Sequence, residues 1–196
     1  MKFRSFLTGC LCAAMLCYAV PGTAAEMQKC PCQAVTPASY TWDFSAEADR
    51  IFRAIQSEAK QTLDQADQFQ AYAQNESLDW QIEGAWLDNI KAEVNDMGAK
   101  LCRLSTIRRV VKPWQQQEID RIKADILLMA DNTQYAIAFG NSHPDDLCFS
   151  PYRNYANNLY FDTRDLAHSV DQAVDYVNLS KEYRNLGRSL GARAAS

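Results

Sequence analysis

The sequence predicts an all-α fold, an antiparallel up-down-up-down four-helix bundle with an irregular N-terminal arm, and three observations carry that expectation. Apolar residues recur at alternating steps of three and four along most of the chain. Proline is missing from the same stretches: none falls between Pro37 and Pro113, between Pro113 and Pro144, or after Pro151, so no ring breaks a helix there. No stretch alternates apolar and polar residues as a half-buried strand does.

The first segment is a signal peptide over residues 1–25. Lys2 and Arg4 precede an apolar run from Phe6 to Val20, then Pro21-Gly22, then the small residues Thr23, Ala24 and Ala25, the order of a secretory leader. Cleavage falls after Ala25, or one residue earlier. An uncleaved anchor is the rival reading, but about 15 apolar residues fall short of the roughly 20 that span hydrocarbon. Leu7-Thr8-Gly9-Cys10 has the letters of lipoprotein processing, yet little apolar segment precedes that cysteine. The expected product is periplasmic or secreted, with no transmembrane segment in the mature chain. Residues 26–42, with Pro31 and Pro37, read as an extended arm.

Four helices follow. The first carries Ala48, Phe52, Ile55, Ala59, Thr62, Ala66, Phe69 and Ala73, with Asp43 or Ser45 as its N-cap. Asn75-Glu76-Ser77 ends it, and Ser77 can cap the next, which argues against a three-helix bundle with the first two segments merged. The second shows Ile82, Trp86, Ile90, Val94, Met97, Leu101 and Leu104, and ends in the basic run from Arg108 to Lys112, before Pro113. The third has Ile119, Ile122, Ile126, Met129, Thr133 and Ala136, closing at Phe139-Gly140. The fourth, after a loop through His143-Pro144-Asp145-Asp146, shows Tyr152, Ala156, Leu159, Thr163, Leu166, Val170, Ala173 and Val177. Four helices of roughly 27–35 residues with short connections make the bundle. It is expected over residues 43–190, with a tail at 191–196.

Composition narrows the function classes. The chain has 196 residues, 20 Lys+Arg against 24 Asp+Glu, a net charge of −4, 47% hydrophobic residues, 7 Gly and 6 Pro, which excludes a disordered or collagen-like chain. Loss of Lys2 and Arg4 with the leader makes the product more acidic, so nucleic acid is not an expected partner. Four cysteines remain after cleavage, Cys30, Cys32, Cys102 and Cys148, and in an oxidising compartment they imply one or two disulfides. Cys30-Pro31-Cys32 lacks the C-x-x-C spacing of a redox motif. Cys102 near the end of the second helix and Cys148 before the fourth fall at opposite ends of an up-down bundle. About 28 residues at 1.5 Å each separate those ends by roughly 40 Å, whereas bridged Cα atoms lie about 5–6 Å apart. Cys30 or Cys32 is therefore the preferred partner of Cys102.

No constellation assigns a reaction. Haem attachment needs C-x-x-C-H, which is missing from the sequence. His168, two residues from both Leu166 and Val170, falls on the far side from the stripe. A di-iron site needs two Glu-x-x-His pairs, and the chain offers one Asp165-x-x-His168. His143, Asp145, Asp146 and Cys148 are weak candidates for a zinc or copper site, with helix capping the commoner role for such loop residues. There is neither Gly-x-Ser-x-Gly nor a glycine-rich phosphate loop, and the stripes offer only Thr62, Thr133 and Thr163 as inward polar groups. No catalytic residue and no cofactor is assigned. Two bundle ends remain. Alternating helices bring Arg103, Arg108, Arg109 and Lys112 to the end that also receives Lys181, Arg184, Arg188 and Arg193. These cations offset helix dipoles, and Arg108, Arg109, Lys112, Arg184 and Arg188 are candidates for contact with an anion or anionic surface. The opposite end collects Phe69, Tyr72, Trp80, Tyr135, Phe139, Phe149, Tyr152 and Tyr155, as a core plug or a slot for a small apolar ligand.

Trp86, Ile90-Lys91 and Val94-Asn95-Asp96-Met97-Gly98, then Pro113-Trp114-Gln115-Gln116, then Ala130-Asp131-Asn132-Thr133 together resemble an uncharacterised group of exported bacterial helical-bundle proteins, over about residues 45–185. The resemblance implies an exported bundle and no activity, cofactor or catalytic residue. The expectation is an exported non-enzymatic protein that acts by binding or structural contact in the cell envelope, its partner an unknown envelope protein or an anionic surface. A small-ligand, metal or haem carrier is the alternative, and an enzyme of unrecognised type the second.

Overall fold

The computed structural model describes residues 43–74, 80–144, 146–147 and 150–194. They form four α-helices, α1 (Ser45–Ala73), α2 (Trp80–Ile107), α3 (Pro113–Ser142) and α4 (Ser150–Ala194), with one 3-10 turn (Arg108–Val110) between α2 and α3. No strand occurs among the described residues. The signal peptide, the arm with Cys30 and Cys32, the Asn75-Glu76-Ser77 break, Asp145 and Cys148 lie outside them.

Local chemistry sets the helix starts. The Asp43 carboxylate accepts from the Ser45 amide at 2.8 Å, capping α1 as its sequence suggests, and hydrogen bonds from Ser45 hold its carboxyl below the usual range. Pro113 opens α3, where its missing N–H leaves no bond unmade, and the Gln115 side-chain oxygen accepts from the Lys112 amide at 3.0 Å.

The stripes of α1, α3 and α4 are buried at every expected position. Inward polarity on them is self-contained: Thr62, Thr133 and Thr163 donate to the carbonyls of Glu58, Met129 and Leu159 at 2.8, 2.7 and 2.6 Å. The start of α2 differs from expectation. Glu83 and Leu87 are buried there, while Ile82 is exposed and Trp86 only partly buried. Ile90, Val94, Met97, Leu101 and Leu104 fix the phase, and their strict alternation of three and four, continued back from Ile90, reaches 87 and 83 rather than 86 and 82. The helical period outweighs the apolarity of Ile82 and Trp86 because five fully packed side chains share the later phase.

Helices α1 and α3 each pack against both α2 and α4. Partners fall along α4 as numbers rise along α1: Arg53 binds Asn178 at 3.0 Å, Gln56 binds Asp171 at 2.7 Å, Gln70 binds Asn157 at 2.9 Å, and Arg153 donates to the Ala73 carbonyl at 3.2 Å. The same holds between α1 and α2, where Glu47 meets Arg103 and Gln61 meets Glu93, each at 2.7 Å. α1, α2 and α3 have 29, 28 and 30 residues, whereas α4 has 45, beyond the expected length and into the expected tail. Val177 is its last buried stripe residue, and nothing from Asn178 to Gly191 is buried. Among the described residues no helix is long and apolar enough to cross a membrane.

Candidate functional site

Three regions of the bundle carry chemistry, and the first is a buried acid that the sequence stripe missed. Glu83, 1% exposed, accepts at 2.7 Å from the hydroxyl of Tyr152, also 1% exposed. Among the described residues its other carboxylate oxygen has no hydrogen-bond partner. Burial pushes the Glu83 carboxyl above its usual range against the opposing hydrogen bond, and burial next to that carboxylate pushes the Tyr152 hydroxyl far above its own. The buried hydrogen bond between the two side chains holds α2 on α4. Around it Phe69 stands edge-on to Tyr152 with ring centroids 5.9 Å apart, and Phe139 lies 6.1 Å from both Tyr152 and Tyr155. This is the expected aromatic end, with Tyr135 at its exposed margin, stacked on Tyr155 at 6.0 Å. The Trp80 side chain and Phe149 lie outside the described set.

The loop candidates act as an end to α3. His143 stacks on Phe139 at 4.7 Å, its Nδ1 lies 2.8 Å from the Ser142 hydroxyl, and its carbonyl accepts from the Asp146 amide at 3.0 Å. Among the described residues no group of three His, Cys, Asp or Glu is placed to hold a metal; Asp145 and Cys148 lie outside them. His168 is exposed. Between α3 and α4, burial pushes the Asp125 and Asp162 carboxyls up, and Asp162 accepts from the Asn132 amide at 2.5 Å.

The third region is the bundle end where α2 hands over to α3. Gln115 is fully buried there and donates to the Ser45 carbonyl at 2.9 Å and to Asp49 at 2.8 Å, which ties the start of α3 to the start of α1. Trp114 sits 6.2 Å from Phe52 and 4.6 Å from Tyr176. The five contact candidates do not form one cluster. Arg108 is engaged by Asp120, its Nε at 2.7 Å and a second guanidinium nitrogen on the other carboxylate oxygen. Arg109 and Lys112 are exposed in the turn. Arg184 and Arg188 stand on α4 beyond Asn178, bonded locally to the Ser180 carbonyl at 3.1 Å and to Asn185 at 3.0 Å. Arg184 is six residues, about 9 Å of helix, past the Asn178 contact with α1.

The end of α4, from Tyr176 beside Trp114 at the bundle edge outwards, holds what sequence reading missed. Tyr176, Leu179, Tyr183, Leu186 and Leu190 are between 50% and 74% exposed, and they follow one another at steps of three and four. The signal was present in the sequence as a second stripe, hidden because Tyr176 starts it one residue before Val177 closes the first. Comparison with known proteins adds no relative: no family model, no curated protein and no solved structure matches this chain.

Proposed function

We propose that this chain is an exported, non-enzymatic bundle protein that acts by binding or structural contact in the cell envelope, periplasmic or secreted. The observation that carries the reading is the apolar stripe that runs from Tyr176 at the bundle edge along the projecting part of α4, since exposed contiguous apolar surface marks an interaction site. Its partner is an envelope protein or an anionic surface. The non-enzymatic part draws support from the inward polar groups, which are spent on structure: three threonines on their own helices, Gln115 on the bundle end, Glu83 on Tyr152.

Export draws support from the leader-like residues 1–25 and from the resemblance to exported bundles. The four cysteines outside residues 1–25, Cys30, Cys32, Cys102 and Cys148, fit disulfide formation in an oxidising compartment. We assign an up-down-up-down course to the helices, supported by the partners that fall on one helix as they rise on the next. On that course Cys102 lies at the end where α1 begins, and Cys30 or Cys32, which precede α1 in the sequence, is the partner this reading assigns to it. Peptide mapping without reductant checks the bridge, and a Cys102–Cys148 bridge would overturn the helix course.

Cell fractionation with N-terminal sequencing tests the reading as a whole. The expected product is outside the cytoplasm and starts at Glu26 or one residue earlier. A cytoplasmic chain that starts at Met1 contradicts it.

A further inference from the structure

The two faces of α4 exchange character where the bundle ends. Through Val170, Ala173, Val174 and Val177 the buried seam is apolar. Continued by steps of four, three and four from Val177, the same seam becomes Lys181, Arg184 and Arg188. Cations at these positions stop the core: all three are exposed, and burying a charge without a partner is costly. The apolar stripe meanwhile moves to the other side of the helix. At 3.6 residues per turn, Tyr176, Leu179, Tyr183, Leu186 and Leu190 centre about 150° from the bundle seam and span an arc of only about 80°.

That geometry distinguishes between possible occupants. A helix that lies in a lipid headgroup layer needs a broad apolar face, whereas a strict stripe at alternating three and four is the narrow seam of a two-helix coiled coil. With Tyr176, Tyr183 and Leu190 as one set of seam positions and Leu179 and Leu186 as the other, the flanking positions hold Ser180, Gly187, Glu182 and Ser189. None is a cation. Lys181, Arg184 and Arg188 all face away from the seam, so two such helices can meet without bringing like charges together.

Burial area points the same way. Five side chains at half exposure or more offer about 100 Å² each, so two copies would bury on the order of 1,000 Å², the lower bound of a specific interface. The projection also needs a packed face of its own. It holds Gly187 and Gly191 and buries nothing between Asn178 and Gly191, and an isolated helix of that length is marginal in water.

We propose that the stripe Tyr176, Leu179, Tyr183, Leu186 and Leu190 pairs with the same stripe of a second copy, making a reversible symmetric dimer through α4. This does not depend on export. Sedimentation of the purified full chain between about 1 μM and 1 mM tests it, since a weak dimer dissociates within that range. The expected result is a monomer–dimer transition that Leu186→Asp shifts at least tenfold towards monomer and Arg184→Ser leaves in place. Because residue 186 is exposed, the substitution does not threaten the fold, and unchanged circular dichroism at the bundle's thermal midpoint checks this. A chain that stays monomeric throughout overturns the proposal, as does equal association of the wild type and Leu186→Asp. Monomers that co-sediment with phosphatidylglycerol vesicles, but not with phosphatidylcholine vesicles, would overturn it in favour of a lipid partner.

Discussion

Glu83 and Tyr152 place the polar stake of this bundle at a single hydrogen bond. Tyr152→Phe removes the only donor that this buried carboxyl has among the described residues, and a loss of about 1–3 kcal/mol in urea denaturation is expected. Glu83→Gln keeps an acceptor for the Tyr152 hydroxyl and removes the ionisation, so it should be neutral or stabilising at pH 7. The pH dependence has a definite sign. The folded-state pKa values of Glu83, Asp125 and Asp162 are raised, chiefly by burial, so their ionised forms oppose folding above those values. Stability therefore rises as pH falls through them, until the ordinary carboxylate range is reached. Asp43 and Asp120 are lowered by hydrogen bonds from Ser45 and Arg108, and Asp171 is lowered by Lys60 and Gln56 against its desolvation. Their stabilisation is present above the ordinary range and is lost as pH falls through their folded values. Chemical denaturation across pH should peak on the acid side of neutrality, above pH about 4, and Glu83→Gln should flatten the rise from pH 7. Stability that only falls from pH 7 downwards would contradict this balance.

At the scale of elements, the stripes of α1, α3 and α4 could be read directly from the sequence because each buried seam is apolar or Thr at every step past the polar residues Ser45 and Gln115 that open those of α1 and α3. On α2 the seam includes Glu83, and two apolar neighbours one residue away drew the expected phase to Ile82 and Trp86. A charge at a seam position is legible only once its partner, 69 residues further along the chain at Tyr152, is known to stand opposite. The observed phase predicts that Leu87→Ala costs about 2–5 kcal/mol, while Ile82→Ser stays within about 0.5 kcal/mol. On α4, Leu166→Asp should cost more than about 3 kcal/mol, because it buries a charge with no evident partner, and His168→Asp should be mild. Equal effects in either pair would put the facing of that helix in error. The length of α4 was not legible, since its bundle seam ends at Val177 and only the second, displaced stripe continues the helical spacing. The candidate cations were legible as residues, but not their division between a turn, where Arg108 is engaged by Asp120, and a projecting helix.

For the whole molecule, the division of labour is between a bundle that is closed on itself and a stretch of α4 that buries nothing. Removal of residues 179–196 should leave the thermal midpoint of the bundle almost unchanged by circular dichroism, because every residue in the core precedes Asn178. A large fall would mean that the projection belongs to the core. The contact role assigned to that projection is the central claim, and the most direct measurement is photo-crosslinking in the intact envelope from a photoreactive residue placed at 186, with the same residue at 168 as control. Discrete adducts from 186 and none from 168 are predicted; an adduct to a second copy of the chain supports the dimer as well, and one to another protein supports the contact role alone. No adduct from 186, or the same adducts from both positions, would contradict the claim.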